Sequence, residues 1–290
     1  MKGQFWGVRG SIPVPGKSTM KYGGNTTCFE LKTSNGEEII IDAGTGIYNL
    51  GKKLIAEADN FTIHLFLTHF HWDHIQGLPF FAPFFDKRFN VKIYYYGING
   101  TEGRDVLESQ LNPKFFPVTC SVFSAKVDFI KINEKEKIVI DGIEIIKTLN
   151  HHSSGTVSYR FNENGKSLVF MTDNELFCSK EENHPTMDSM KRLNAQLIDF
   201  VKEADILIHD TQYFESDFPE KVGWGHSNNA SVAYFSEASK VKNLFITHYD
   251  PDYSDDLIDK LISETRIIIA NELNSTIEAQ AAYEGLEILL

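Results

Sequence analysis

The sequence predicts an α/β layered domain in which one or two β-sheets are covered by helices. Three observations support this prediction. Short β-like runs occur in both halves of the chain, helical patterns separate them, and polar residues follow several of the apolar runs. Because ligands bind beyond the carboxyl ends of strands in open α/β sheets, those polar residues also predict where a functional site lies.

The individual elements follow from runs of β-branched, aromatic and aliphatic residues, and from apolar residues at helical spacing. The predicted strands cover residues 5–8, 27–32, 38–41, 63–67, 91–96, 143–149, 157–161, 168–171, 206–208 and 244–247. The predicted helices cover residues 47–58, 103–111, 190–203, 228–239 and 251–270. The chain contains no long repeat, low-complexity tract or linker, so we predict one domain over residues 1–290.

The composition is that of a globular protein, with 290 residues, 42% of them hydrophobic, and a formal net charge of −12. An acidic chain repels the phosphate backbone, so we expect no extended nucleic-acid binding. We expect no membrane association, because no apolar run approaches the roughly 18 residues needed and the first residues lack a signal-peptide pattern. The three cysteines, Cys28, Cys120 and Cys178, form no CxxC pair, which argues against a thiolate zinc site and favours a cytoplasmic location.

The strongest functional signal is the run HFHWDH at residues 69–74, which directly follows an apolar strand. It places four potential metal ligands, His69, His71, Asp73 and His74, in six residues. Imidazole nitrogens and carboxylate oxygens are the ligands that zinc prefers when thiolates are absent. We predict that His69 and His71 turn toward one ion, and that Asp73 and His74 turn toward a second.

Three further candidates, His151, Asp173 and His248, each follow a β-like run. Taken alone, each is also consistent with an ordinary polar loop residue. Together with the run 69–74 they complete two ligand sets, in which Asp173 bridges both ions. The predicted sets are His69, His71 and His151 for one ion, and Asp73, His74 and His248 for the other.

This series of residues resembles the metallo-β-lactamase fold superfamily. Asp42, the run 69–74, His151, Asp173 and His248 occur in the family's order, and the resemblance extends from about residue 7 to residue 250. It implies an αββα four-layer sandwich that holds two divalent metal ions. Zinc is the expected metal, and manganese and iron accept the same ligands. The resemblance also implies that Asp42 orients the ligand loop from behind; a simple turn-forming role is the alternative.

A second motif distinguishes the branches of this family. Gly223-Trp224-Gly225-His226-Ser227 resembles the His-Ser motif of ribonuclease Z-like phosphodiesterases, in which the histidine assists the leaving group. A histidine that merely caps the loop is the alternative for His226. Two other residues at a strand end, His209 and Asp210, are interpreted as support for the ligands. The resemblance therefore favours the branch that contains ribonuclease Z and cyclic-nucleotide phosphodiesterases.

The predicted activity is a hydrolase that cleaves a small phosphodiester, such as a cyclic nucleotide, through a metal-bridging hydroxide that Asp73 and Asp173 orient. A thioesterase or lactonase of the same fold uses the same ligands and is the main alternative. The second alternative is a metal-binding protein without catalytic activity.

Two departures from the family pattern affect the predicted partners. No basic, glycine-rich insertion that would grip tRNA is present, which again favours a small-molecule substrate. The aromatic segment 78–85 can pack in the core, wall a pocket, stack on a base or form a homodimer interface. His152 stands where such relatives usually carry proline, and the sequence leaves its role open.

Overall fold

A computed structural model describes residues 1–57, 61–97, 102–133, 136–153, 155–178 and 184–290. The chain divides into two compact units. The first unit comprises Met1–Pro15, Gly23–Glu136 and Tyr283–Leu289, and the second comprises Gly16–Tyr22, Lys137–Ala282 and Leu290. Each unit contains one seven-stranded sheet.

The strands of the described ranges are β1 (Lys2–Gly7), β2 (Cys28–Lys32), β3 (Glu38–Ile41), β4 (Phe61–Phe66), β5 (Phe89–Tyr95), β6 (Lys126–Lys131), β7 (Ile138–Ile140), β8 (Ile143–Leu149), β9 (Val157–Glu163), β10 (Lys166–Met171), β11 (Ile206–Asp210), β12 (Asn243–Thr247), β13 (Glu278–Ala281) and β14 (Glu287–Leu289). The α-helices are α1 (Ile47–Glu57), α2 (Trp72–Ile75), α3 (Gly103–Gln110), α4 (Met187–Leu193), α5 (Ala195–Val201), α6 (Asn229–Ser239) and α7 (Asp255–Ile267).

The sheet of the first unit has the order β14-β1-β2-β3-β4-β5-β6. Its strands are antiparallel from β14 to β3 and parallel from β3 to β6. Helix α1 buries Ile47, Leu50 and Leu54 in the core, because these residues recur at helical spacing on one face. The parallel strands β3 and β4 end at the same edge, and the run 69–74 follows β4 there.

The sheet of the second unit has the order β13-β12-β11-β10-β9-β8-β7. Strands β10 to β13 are parallel, whereas β7 to β10 are antiparallel. The central strands β10, β11 and β12 are almost wholly buried, which explains why they read as short continuous apolar runs. Their carboxyl ends carry Asp173, Asp210 and His248.

Each predicted strand overlaps an observed strand, but β6, β7, β13 and β14 were not predicted. These four are the edge strands of the two sheets. β13 and β14 expose alternate residues, and most residues of β6 and β7 are partly or fully exposed, so their apolar signal is weak. The helix predicted over 190–203 is two helices, because Asn194 ends α4 and its side-chain amide donates to the carbonyl oxygens of Phe177 and Met190. The helix predicted from residue 251 begins at Asp255, where the Ser254 side chain caps it.

Residue 58, the predicted end of the first helix, lies outside the described residues. Of the helices that the structure describes, none combines the length and apolarity needed to cross a membrane. The division into two compact units does not test whether residues 1–290 form one domain, so the single domain remains a prediction.

A buried pair of carboxylic acids in the first unit predicts a dependence of stability on pH. Glu38 is fully buried beside Glu30, which accepts hydrogen bonds from Lys53 Nζ (2.8 Å) and Trp6 Nε1 (2.9 Å). Burial, and then the negative charge of Glu30, raises the pKa of Glu38 from its ordinary 4.5 to about 9. Between these two pH values the folded chain binds one more proton than the unfolded chain. The free energy of unfolding therefore falls as pH rises through this window.

We expect Glu38→Gln to reduce that fall, because the amide does not titrate. Urea unfolding at pH 6 and pH 9 measures it, with a contribution of at most about 1.4 kcal/mol per pH unit from this group. An unchanged slope in the variant would show that other groups control the stability in this range. Glu287→Gln, at an exposed glutamate of β14, is the matched control.

Candidate metal centres

Three predicted site residues share an unusual backbone conformation at strand ends. Asp42, Asp173 and His248 follow β3, β10 and β12 and have positive φ angles of 62°, 56° and 59°. The left-handed region costs an L-residue about 1–2 kcal/mol, somewhat less for aspartate, and such residues concentrate at functional sites. The chain thus accepts local strain at the positions where the sequence predicts chemistry.

The run 69–74 forms the first cluster, which lies at the carboxyl end of β4 and the start of α2. The ring centroids of His69 and His71 are 4.4 Å apart, and those of His69 and His74 are 4.3 Å apart. Asp73 Oδ2 lies 3.4 Å from His74 Nε2 and accepts a hydrogen bond from the Ser11 amide (2.7 Å). All four predicted ligands of this run are therefore brought together within the first unit.

Asp42 and Thr68 support this cluster from behind. His74 Nδ1 donates to Asp42 Oδ2 (2.8 Å), and the Thr68 amide donates to Asp42 Oδ1 (2.8 Å). Thr68 Oγ1 lies 3.0 Å from His69 Nδ1. Burial raises the pKa of Asp42, although the charge and hydrogen bond of His74 oppose this. With Nδ1 engaged, His69 and His74 present Nε2, as metal-bound histidines do when a carboxylate or hydroxyl orients them.

We expect Asp42→Asn to weaken divalent-metal binding about 10- to 100-fold, because the amide holds the His74 ring less firmly and lacks the negative charge. Competition with a metal-binding dye measures this affinity. Asp128→Asn, at a half-buried carboxylate of β6, is the matched control and should bind metal like the parent. Equal affinities in both variants would assign Asp42 to the turn alone.

A second cluster surrounds Asp173 in the second unit. Asp173 Oδ1 lies 3.4 Å from His248 Nε2, 3.8 Å from His152 Nε2 and 3.9 Å from His226 Nδ1. Asp173, His226 and His248 are buried, and one ligand atom from each of His152, Asp173 and His226 lies within 4.8 Å of the others. Burying a carboxylate among imidazoles without further charge is costly, so this donor set suits a divalent cation.

Hydrogen bonds orient the imidazoles of this cluster as well. His152 Nδ1 donates to the Gly225 carbonyl oxygen (3.0 Å), and His248 Nδ1 donates to Gln212 Oε1 (3.2 Å). Both rings therefore direct Nε2 toward Asp173. The same orientation occurs in the first cluster, so the donors of both clusters fit metal ions by type and by ring orientation.

His226 and Asp210 form a hydrogen-bonded pair next to this cluster. His226 Nδ1 donates to Asp210 Oδ2 (3.3 Å), and the Ser227 amide donates to the same oxygen (3.2 Å). Burial alone would raise the pKa of Asp210, but the hydrogen bonds and charges of His209 and His226 lower it below its usual value. Asp210 therefore remains ionised and fixes which nitrogen of His226 carries the proton. The His226 ring also stacks on that of His248 at 5.1 Å.

The structure places two predicted residues away from the ligand atoms. His151 stacks on Phe177 at 4.0 Å, and its Nδ1 donates to the Glu175 carbonyl oxygen (3.2 Å). Burial lowers the pKa of His151. His209 Nδ1 donates to the Asp210 carbonyl oxygen (2.7 Å), and its Nε2 lies 3.4 Å from Asn174 Nδ2. His152, whose role the sequence left open, therefore occupies the position near Asp173 that was predicted for His151.

Adjacent histidines look alike in a sequence, and only the fold decides which of them turns inward. The local pattern 148–155 contains no signal that separates His151 from His152. The contact that settles the matter, between His152 and Gly225, joins residues 73 positions apart.

Comparison with known proteins supports the fold and the family. The model of the beta-lactamase superfamily domain matches residues 37–249. Ribonuclease Z of Thermoplasma volcanium is 23% identical over an alignment of 312 positions, gaps included, that covers 90% of each chain. The metallo-beta-lactamase fold protein YhfI of Bacillus subtilis has a TM-score of 0.69 at 16% identity, covering 99% of this chain and 98% of its own.

The short form of human tRNase Z has a TM-score of 0.62 at 19% identity, covering 100% of this chain and 99% of its own. With two mixed sheets and flanking helices, these findings confirm the predicted α/β sandwich class. The chain therefore belongs to the beta-lactamase superfamily, and its sequence is similar to that of ribonuclease Z enzymes.

Proposed function

We propose that this chain is a metal-dependent phosphodiesterase that hydrolyses a small phosphodiester such as a cyclic nucleotide. The observation that carries the proposal is the buried His226–Asp210 pair beside Asp173. A hydrolase that attacks the carbonyl carbon of a thioester releases a thiolate. Because a thiolate is a good leaving group, such an enzyme has less need of a proton donor. A phosphodiester leaves a basic alkoxide oxygen, which requires protonation.

The proposed cofactors are two divalent ions, with zinc as the first choice and manganese or iron as alternatives. The proposed ligands are His69, His71, Asp73 and His74 of the first cluster and Asp173 and His248 of the second, with His152 in the place first given to His151. When bound, such ions supply positive charge that polarises a phosphoryl group and lowers the pKa of water.

The chain's own residues supply orientation and a proton. Asp210 holds the Nδ1 proton of His226, so Nε2 is the nitrogen that can deliver a proton to the departing oxygen. The Ser11 amide fixes the carboxylate of Asp73, which we propose orients the attacking water. His226 is buried, with 11% of its side chain exposed, which limits the access of bulk solvent to its ring.

The charge of the chain favours a small substrate over an extended RNA. With a net charge of −12, long-range repulsion opposes a polyanion, whereas one phosphodiester group can be held locally by cations. The name of the Thermoplasma relative indicates RNA cleavage, so RNA is the competing substrate for the same chemistry.

A substrate panel tests this proposal. The metal-loaded protein is assayed with bis(p-nitrophenyl) phosphate, 3′,5′-cyclic nucleotides, a precursor tRNA and a glutathione thioester. We expect turnover of the first two and none of the thioester. Thioester turnover without phosphodiester turnover would assign the chain to the carboxyl-centre branch, and tRNA cleavage without cyclic-nucleotide turnover would refute the small-substrate proposal.

A further inference from the structure

The conformation of the loop 221–226 is fixed by Glu175 and by His152 of the second cluster. The amides of Gly223 and Gly225 donate to Glu175 Oε2 (2.9 and 2.8 Å). Both glycines have positive φ, 87° and 85°, and a Cβ atom at Gly225 would clash with the ring of His152. The loop is therefore built against Glu175 and against His152, the ligand proposed above.

This fixed loop exposes a large aromatic side chain. Trp224 is 59% exposed, although tryptophan is strongly buried on average in folded proteins. Lys221 Nζ lies 4.3 Å from the centroid of the Trp224 ring, which places a cation against one face of the indole. An exposed aromatic ring on a rigid loop contributes little to the core, and this is the arrangement that ligand-binding sites use.

A continuous row of side chains connects this pair to His226. Lys221 Nζ also lies 5.6 Å from the centroid of the buried Tyr213 ring. The Tyr213 ring in turn packs edge-to-face on the His226 imidazole, with centroids 6.2 Å apart. Through Tyr213, Lys221 and Trp224 are therefore connected to the residue that we propose protonates the leaving group.

We propose that Trp224 and Lys221 form a nucleotide subsite, in which the indole stacks on a nucleobase and the Lys221 ammonium binds a phosphate oxygen of the same substrate. This inference rests on the proposed function and makes its substrate class specific: a phosphodiester that carries an aromatic base. Stacking accepts any base, whereas the ammonium selects for the anionic group. The alternative is a lysine–tryptophan pair that only stabilises the loop.

The test compares the binding of two ligands that differ only in the base. Isothermal titration of the metal-loaded protein with adenosine 5′-monophosphate and with ribose 5-phosphate measures the base preference directly. We expect the parent to bind the nucleotide at least about 10-fold more tightly, the contribution ordinary for base–aromatic stacking. Trp224→Ala should remove the preference, and Trp224→Phe should retain most of it. Val222→Ala, at another exposed residue of the loop, should bind like the parent.

The variant Lys221→Gln tests the phosphate contact independently of the base contact. It should weaken both phosphate ligands and leave the base preference in place. Equal binding of the two ligands by the parent, or a preference that survives in Trp224→Ala, would overturn the subsite. Turnover of bis(p-nitrophenyl) phosphate by the parent reports on the proposed activity alone, so a failed subsite and a failed phosphodiesterase are told apart.

Discussion

Replacement of Asp173 by alanine is expected to abolish turnover, with a loss of at least about 10³-fold, more than removal of a single oxyanion donor ordinarily causes. The carboxylate is the centre of the second cluster, where three imidazoles lie within 3.9 Å of one of its oxygens. Without it the imidazoles lose their common partner and the proposed metal loses a charged ligand. Metal content by mass spectrometry and phosphodiester turnover should both fall.

Two further variants separate this effect from unfolding. Asp173→Gly suits the left-handed backbone and should lose turnover equally while it folds at least as well as Asp173→Ala. Asp199→Ala, on the exposed side of α5, is the matched control and should retain both metal and activity. Full metal content and near-parental turnover in Asp173→Ala would refute the assignment of this cluster.

The second large effect is expected from His226→Ala, which should lower kcat about 10²- to 10⁴-fold with the metal retained. The loss depends on the leaving group. p-Nitrophenolate departs without a proton, so bis(p-nitrophenyl) phosphate should suffer less than a cyclic nucleotide, whose leaving oxygen is a basic alkoxide.

If His226→Ala lowered kcat equally for both substrates, His226 would not act as the proton donor. Such a result would favour a role in binding a phosphate oxygen instead. His184→Ala is the matched control, because His184 bonds Glu215 and the Tyr234 hydroxyl away from the cluster. It should leave both rates unchanged.

Much of the fold could be predicted because its central strands are buried on both faces and read as apolar runs. The ligand run 69–74 was readable for a related reason: four ligands stand in one short segment after such a strand. Features that depend on contacts between residues far apart in the sequence could not be predicted. The edge strands β6 and β13 lack a strong apolar signal, and the choice between His151 and His152 depends on Gly225.

The pairing of Lys221 with Trp224 shows the same limit at shorter range. Both residues are visible in the sequence, but their contact depends on the turn that Glu175 holds through two glycine amides. The role of Asp210 was predicted only in general terms, because a carboxylate at a strand end does not indicate which imidazole it will contact.

The left-handed backbone at Asp42, Asp173 and His248 has an evolutionary consequence. At these three positions, glycine or asparagine fits the backbone at least as well as the residue that is present. The backbone conformation alone therefore does not require aspartate or histidine at these positions. In a descendant that had lost its catalytic role, drift toward glycine or asparagine would meet little resistance from the backbone conformation. Such replacements, without other damage to the strands, would mark inactive copies of this fold.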